Sequence, residues 1–261
     1  MIGYIEHHIV DHCNLRCAGC SHFSPLADPW FEDIVDFNYD FSALAKLTNH
    51  YIPVIRIMGG EPLLHPSVEL FLETVRAMFT ESEIQLVTNG LLLGKKGQEF
   101  ADFCNAFKIT ICVSDYGLNL NLPELLKPFY YKRVDGKGQL YNISLDLTGS
   151  QDLQQAFNRC DLHINRWYFF QFGRMYPCCI CPNLHIFNNF FRYELKYPKL
   201  KEEKWTEDEL SISVYNHTLE EVESFLNTPI PLCKYCNTAI RCHTYSPFKI
   251  SKGEITEWTC Q

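Results

Sequence analysis

The chain has 261 residues, 46% of them hydrophobic and 21% charged, with a formal net charge of -8. That length supports one large domain, or one domain plus an appendage, and the acidic balance argues against the lysine- and arginine-rich footprint that nucleic-acid phosphates require. No apolar run approaches a membrane span, and the opening MIGYIEHHIVDHC lacks the basic and apolar segments of a secretory signal. The expectation is a cytoplasmic protein that meets a small molecule or a neutral peptide, with no nucleic acid and no membrane as partner.

In chain order, YIEHHIV, VIRIM, IQLVT, KITICV and LYNISL read as strands, and FSALAKLTNH, SVELFLETVRAMF and KGQEFADFCNAF read as the helices between them. That alternation predicts an α/β fold with a parallel sheet and crossover helices. Four strands run into polar or glycine-containing residues, DHCN, GGEP, TNG and SDYG. These are carboxyl ends, where a (β/α) barrel gathers its chemistry. From about residue 151 the rhythm is lost in RWYFFQFGRMYPCCICPNLH, although NHTLEEVESFLNTP is a clear helix with Thr218 and Glu221 spaced for a capping box. Residues 188–216, charged and aromatic together, read as a surface excursion or a lid.

The 13 cysteines need an explanation of their own. In a reducing compartment they suit metal ligation better than a disulfide framework. Cys104 and Cys112, in ADFCNAFKITICV, are expected in the core. The others fall into three groups: Cys13, Cys17 and Cys20; Cys160, Cys178, Cys179 and Cys181; Cys233, Cys236, Cys242 and Cys260. Three thiolates on one loop can hold three irons of a 4Fe-4S cluster and leave the fourth open, whereas structural zinc takes a closed set of four. A zinc reading of the first group needs a further ligand, with His12 and His22 the nearest, and GGEP on its own could be a surface turn.

Together, CNLRCAGC and GGEP resemble the radical S-adenosylmethionine (SAM) superfamily over roughly residues 5–145. The resemblance implies a partial (β/α)6 TIM-like barrel in residues 1–150, with Cys13, Cys17 and Cys20 ligating a 4Fe-4S cluster that binds SAM. It further implies reductive cleavage of SAM to a deoxyadenosyl radical, hydrogen abstraction from a substrate, and a reductant partner such as flavodoxin or ferredoxin. Gly59 and Gly60 would let the backbone approach the SAM amino group, Glu61 would accept a hydrogen bond from it, and Pro62 would fix the turn. Asn89, Ser114 and Asp115 are expected contacts to the ribose or methionine moiety, although polar strand ends also serve as turns and caps. Gly19 stands where the superfamily usually carries an aromatic residue, which makes Phe23 the candidate for packing adenine.

The spacing Cys160-X12-Gly173-X4-Cys178, followed by Cys233-X2-Cys236, resembles the Twitch and SPASM auxiliary-cluster domains. The implied second unit is a small cysteine-rich domain over residues 151–261, with a second 4Fe-4S cluster on Cys160, Cys178, Cys233 and Cys236. A rival set is Cys233, Cys236, Cys242 and Cys260, and a structural zinc site remains open. Cys179 and Cys181 have no slot in either scheme and read as packing residues. In length and in the Cys160-to-Cys178 spacing the chain resembles the deoxy-scyllo-inosamine dehydrogenase type. That implies a radical SAM oxidoreductase acting on a small hydroxylated, sugar-like or aminocyclitol substrate and passing an electron to the auxiliary cluster, with Arg133, Arg174 and the tyrosines near residue 130 as possible bases. Two other readings stand beside it: a peptide-modifying or protein-maturing enzyme, and an iron-sulfur electron carrier that does not turn over SAM.

Overall fold

The computed structural model describes residues 2–136, 139–141, 144–192, 205–241 and 245–260. Strands β1 (Tyr4–Val10), β2 (Val54–Gly59), β3 (Glu83–Thr88), β4 (Ile109–Ser114) and β5 (Lys132–Asp135) lie parallel and in sequence order. Helices α1 (Ile34–Leu47), α2 (Val68–Met78) and α3 (Leu93–Ala106) make the crossovers between the first four. This is a mixed α/β fold whose eight-stranded sheet is open, not a closed barrel.

Two strands differ from expectation. Of LYNISL, Leu140 and Tyr141 lie in β6 (Gln139–Tyr141), which pairs antiparallel with Tyr245–Pro247 in a separate two-stranded sheet, and Leu145 makes isolated bridges to Cys236 and Thr259; residues 142 and 143 lie outside the described residues. The fifth parallel strand is instead β5, KRVD, a short and largely exposed edge strand with no apolar alternation to betray it. The aromatic stretch, where the rhythm fails on paper, forms β7 (Tyr168–Gln171), parallel to β1 on its other side. All four residues of β7 are buried, so the strand reads as a continuous apolar run. It turns back into β8 (Arg174–Tyr176) through Phe172 and Gly173, both at positive φ (53° and 66°), the backbone of a two-residue hairpin turn. A last short strand, β9 (Ile212–Ser213), completes the sheet.

Period-2 alternation sorts β1 into two faces. Ile5, His7 and Ile9 face the helices, where they meet Ile55, Ile57, Phe37, Phe41 and Phe71 in the main core. His7 is fully buried there, satisfied by Glu32 and by the Phe170 carbonyl. Tyr4, Glu6 and His8 face the other way. That inner face is polar on the neighbouring strands too: Arg56 Nε donates to Gln85 Oε1 (2.7 Å), and Arg56 reaches Asp135 of β5 at 3.0 Å. The concave side of the sheet is therefore lined as a site.

A second core joins Phe169 of β7 to α4 (Ile180–Phe190) and to Phe23, Leu26, Phe191 and Trp258. The helix α5 (Leu219–Leu226) carries the expected Thr218–Glu221 capping box. Of the predicted lid, residues 193–204 lie outside the described residues. The halves of the chain interlock. Residues 249–251 run against the first cysteine loop, with Ala18 N donating to Lys249 O (2.9 Å) and Ser251 N to Arg16 O (2.7 Å). The indole of Trp258, fully buried, donates to Cys20 O at 3.0 Å.

Candidate active site and cysteine centres

The carboxyl ends of β1 to β5 open onto a cavity of about 450 Å³. Its wall includes Cys13, Cys17 and Cys20 from the loop after β1, Gly59 and Gly60 at the end of β2, Asn89 after β3, and Ser114 and Asp115 at the end of β4. The structure thus gathers most of the motif residues at one place. The thiols ring the cavity without crowding: among the described residues, no three of their ligand atoms come within 4.8 Å of one another. A single zinc ion with bonds near 2.3 Å would draw its sulfurs to about 3.8 Å apart. The wider spread suits a multi-iron group. Burial pushes the Cys13 thiol up to about 12 and raises Cys17 and Cys20 as well, so they stay protonated until a metal displaces the proton.

The glycines act on protein backbone. A Cβ on Gly60 would sit 2.2 Å from His12 O, and one on Gly59 2.1 Å from Val10 O. Their missing side chains let Gly60 N donate to Val10 O (2.8 Å) and Glu61 N to His12 O (3.1 Å), which presses the end of β2 against the base of the cysteine loop. Glu61 itself is fully buried and is not on the cavity wall. Its carboxylate accepts from Thr88 Oγ1 (2.7 Å), Asn89 N (2.8 Å) and Leu63 N (3.1 Å). The expected direct bond to SAM is thus replaced by a brace that fixes the end of β3 against β2. Pro62 sits at the first position of a 3-10 turn, Pro62–Leu64, where its fixed φ suits the backbone. Asn89, in turn, reaches toward the cysteine loop, with Nδ2 2.7 Å from Asn14 Oδ1 and 3.7 Å from Cys13 Sγ.

Phe23 must be corrected. Its ring is fully buried in the second core, 5.4 Å from Phe187 and off the cavity wall, because the left-handed backbone at Phe23 (φ 55°) turns the chain inward after Cys20. The aromatic rings that do line the cavity are Tyr116 and Trp167. Tyr116 was legible in SDYG only as part of a polar strand end, and His22, also on the wall, only as a further ligand beside the cysteine triplet; Trp167 carried no signal of position. Of the suggested bases, Arg133 lines the cavity, while Arg174 is held by Ser211 and Asp208 away from it and Tyr130 is 81% exposed.

The second thiol group assembles from distant segments. Cys160, Cys178, Cys233 and Cys236 line one small cavity walled otherwise by Phe157, Ile230 and Leu232. Cys181, expected to pack, is also there: its sulfur lies 3.5 Å from that of Cys178. Burial raises the Cys181 thiol, and Cys178, Cys233 and Cys236 raise it further. Cys179 points the other way, toward Ser21 O at 4.0 Å. Cys260 donates to Leu145 O (3.5 Å), and Cys242 lies outside the described residues. Cys104 and Cys112 are fully buried core residues.

Residues 3–119 match the family of 4Fe-4S single cluster domains. The GTP 3',8-cyclase of Campylobacter fetus subsp. fetus is 26% identical over 102 residues, 39% of this chain and 32% of that protein. The GTP 3',8-cyclase of Helicobacter pylori is 32% identical over 99 residues, 38% of this chain and 31% of that protein. The chain therefore matches about a third of the length of these relatives. Together these matches support the radical SAM superfamily. The crystal structure of BtrN in complex with AdoMet and 2-DOIA is similar in fold to this chain at a TM-score of 0.52 and 15% identity, over 91% of this chain and 93% of that one. That likeness spans most of this chain, whereas the cyclase matches cover 38–39% of it. Among the described residues, no helix is long and apolar enough to cross a membrane.

Proposed function

We propose that this chain is a radical SAM oxidoreductase that oxidises a small hydroxylated substrate, and that a second 4Fe-4S cluster accepts the electron. The observation that carries the first half is the single cavity that collects three loop cysteines with the ends of β2, β3 and β4. Cys13, Cys17 and Cys20 would hold the first cluster, and the wall formed by Gly59, Gly60, Asn89, Ser114 and Asp115 would receive SAM. A site-open cluster held there would supply the electron for reductive cleavage of SAM and so the means of abstracting a hydrogen atom from the substrate. Everything else falls to the protein. Glu61 holds Asn89 and Thr88 in place, Trp167 and Tyr116 wall off water, and Arg56 with Arg133 presents guanidinium donors near Asp135 for a polar substrate.

For the second cluster, the support is the convergence of Cys160, Cys178, Cys233 and Cys236 on one buried cavity. Four thiols fit a closed cluster, which cannot bind SAM and is suited to electron transfer. After a hydrogen atom leaves the carbinol carbon, formation of the ketone releases one proton, which would pass to solvent, and one electron, which this cluster would accept. The likeness to a structure holding AdoMet and 2-DOIA supports the same substrate class, and a reductant such as flavodoxin or ferredoxin would supply the first electron.

Anaerobic iron and sulfide analysis with Mössbauer spectroscopy tests this reading. The expectation is about eight irons per chain, falling to about four in Cys13→Ala/Cys17→Ala/Cys20→Ala, with deoxyadenosine formed under reductant only by the parent protein. About four irons falling to none would remove the second cluster and the dehydrogenase with it. Full iron without deoxyadenosine would leave an electron carrier, and eight irons left in the variant would favour a peptide-modifying enzyme.

A further inference from the structure

Beside the main cavity lies a second cluster of ligand-type side chains that the chemistry above does not use. One ligand atom each from Glu6, His22 and Cys179 lies within 4.8 Å of the other two. They come from three separate places, the inner face of β1, the residue two beyond Cys20, and the N-cap of α4.

Hydrogen bonds behind the cluster determine what it presents. His8 Nδ1 lies 3.2 Å from Asp11 Oδ1, and His8 Nε2 lies 2.8 Å from His22 Nδ1. A carboxylate only accepts, so His8 carries its proton on Nδ1 and its Nε2 is an acceptor. His22 must then donate from Nδ1, which leaves the lone pair on its Nε2. Glu6 is an acceptor as well, oriented by the Tyr4 hydroxyl, which donates to Oε1 at 2.5 Å. An imidazole whose Nδ1 is engaged by His8, a carboxylate and a thiol thus share this place, with the free imidazole nitrogen and the carboxylate lacking a proton to share. A cation satisfies such a set. The chain Asp11–His8–His22 is also the carboxylate–histidine support that stands behind metal-binding imidazoles and fixes their tautomer.

We propose that Glu6, His22 and Cys179 bind one zinc ion. The mixed oxygen, nitrogen and sulfur donors suit zinc, whereas magnesium and calcium take oxygen ligands. Three protein ligands leave a coordination position for an exchangeable oxygen donor, and His22 stands on the wall of the main cavity, so a substrate hydroxyl is the class of ligand that would reach it. This site is independent of the auxiliary cluster: Cys179 points away from the small cavity lined by its neighbour Cys178.

The test uses the full chain, reconstituted anaerobically with iron, equilibrated with one equivalent of zinc chloride and desalted. Zinc and iron are then counted by mass spectrometry and zinc K-edge absorption gives the ligand shell. Expected is about one zinc per chain at unchanged iron, with one sulfur near 2.3 Å and nitrogen or oxygen ligands near 2.0–2.1 Å. His8→Ala should weaken zinc binding by about 10- to 100-fold. Because Cys179 adjoins Cys178, the deciding variant is Glu6→Gln, which leaves every thiol in place and should lose the zinc while keeping its iron. The proposal fails if the parent retains no zinc, if Glu6→Gln retains as much as the parent, or if the zinc shell contains only sulfur, which would place the ion in one of the two cysteine centres.

Discussion

The two thiol groups reach their positions by opposite routes. Cys13, Cys17 and Cys20 share one loop, spread around a cavity of about 450 Å³, and depend on the strand beside them for their placement. Cys160, Cys178, Cys181, Cys233 and Cys236 come from three segments and meet inside a core of their own, where the sulfurs of Cys178 and Cys181 lie 3.5 Å apart. The first site is built by a local motif that the sheet displays, the second by tertiary folding that brings remote pieces together. Damage to the sheet's end should therefore strike the first group, and damage to the loops should strike the second.

The sharpest way to break that contrast is Gly60→Ala. A Cβ there falls 2.2 Å from a backbone carbonyl, which cannot move without the cysteine loop. A loss of about 3 kcal/mol or more is expected, at the upper end for overpacking, with iron per chain falling toward half in whatever folds. Thermal melts with iron analysis check it, and full iron at parent stability would mean that the loop is not set by this approach.

Asp146→Asn should loosen the other region. Its carboxylate accepts from Thr148, Ser150 and Gln151, and its backbone N–H donates to Tyr235 O at 2.9 Å, close to Cys233 and Cys236. Burial works to raise its pKa, but the bonds from Gln151, Thr148 and Ser150 outweigh it and hold the group at about 2. The folded value lies below the unfolded one near 3.9, so this stabilisation is complete above about pH 4 and is lost as pH falls toward 2. The substitution should cost about 2 kcal/mol at neutral pH and flatten the acid limb of stability. Urea midpoints measured from pH 7 down to pH 3 decide it, and an unchanged acid limb would count against the bonds. Thr218→Ala, at the cap of a helix that holds none of the thiols, should cost only about 1 kcal/mol and leave iron untouched. Iron loss there would show that the two centres share more of the fold than their construction suggests.

The same contrast explains what could be read beforehand. Strands β1 to β4 were legible because apolar alternation ends each time in a polar or glycine-containing turn, and the triplet of cysteines was legible because its spacing is contiguous. β5 was not, since KRVD is an exposed edge with nothing to bury, and β7 was not, since a strand buried on both faces loses the alternation that marks a strand. Glu61 and Phe23 went astray for a related reason. Sequence places both beside the cavity, but only packing decides which way a side chain points, and both turn into the protein. Cys181 joins the second thiol group at a spacing that no motif marked, because the turn into α4 folds Cys178, just before the N-cap Cys179, back against the first turn of the helix.

One contact also sets an order of events. The loop that carries Cys13, Cys17 and Cys20 leaves the ribosome more than two hundred residues before Lys249, Ser251 and Trp258, which supply the bonds that hold its far side. During synthesis that loop is exposed and unbraced while more than two hundred residues are still to come. Its thiols acquire their native surroundings only once residues 249–258 have been made and have folded back onto the loop.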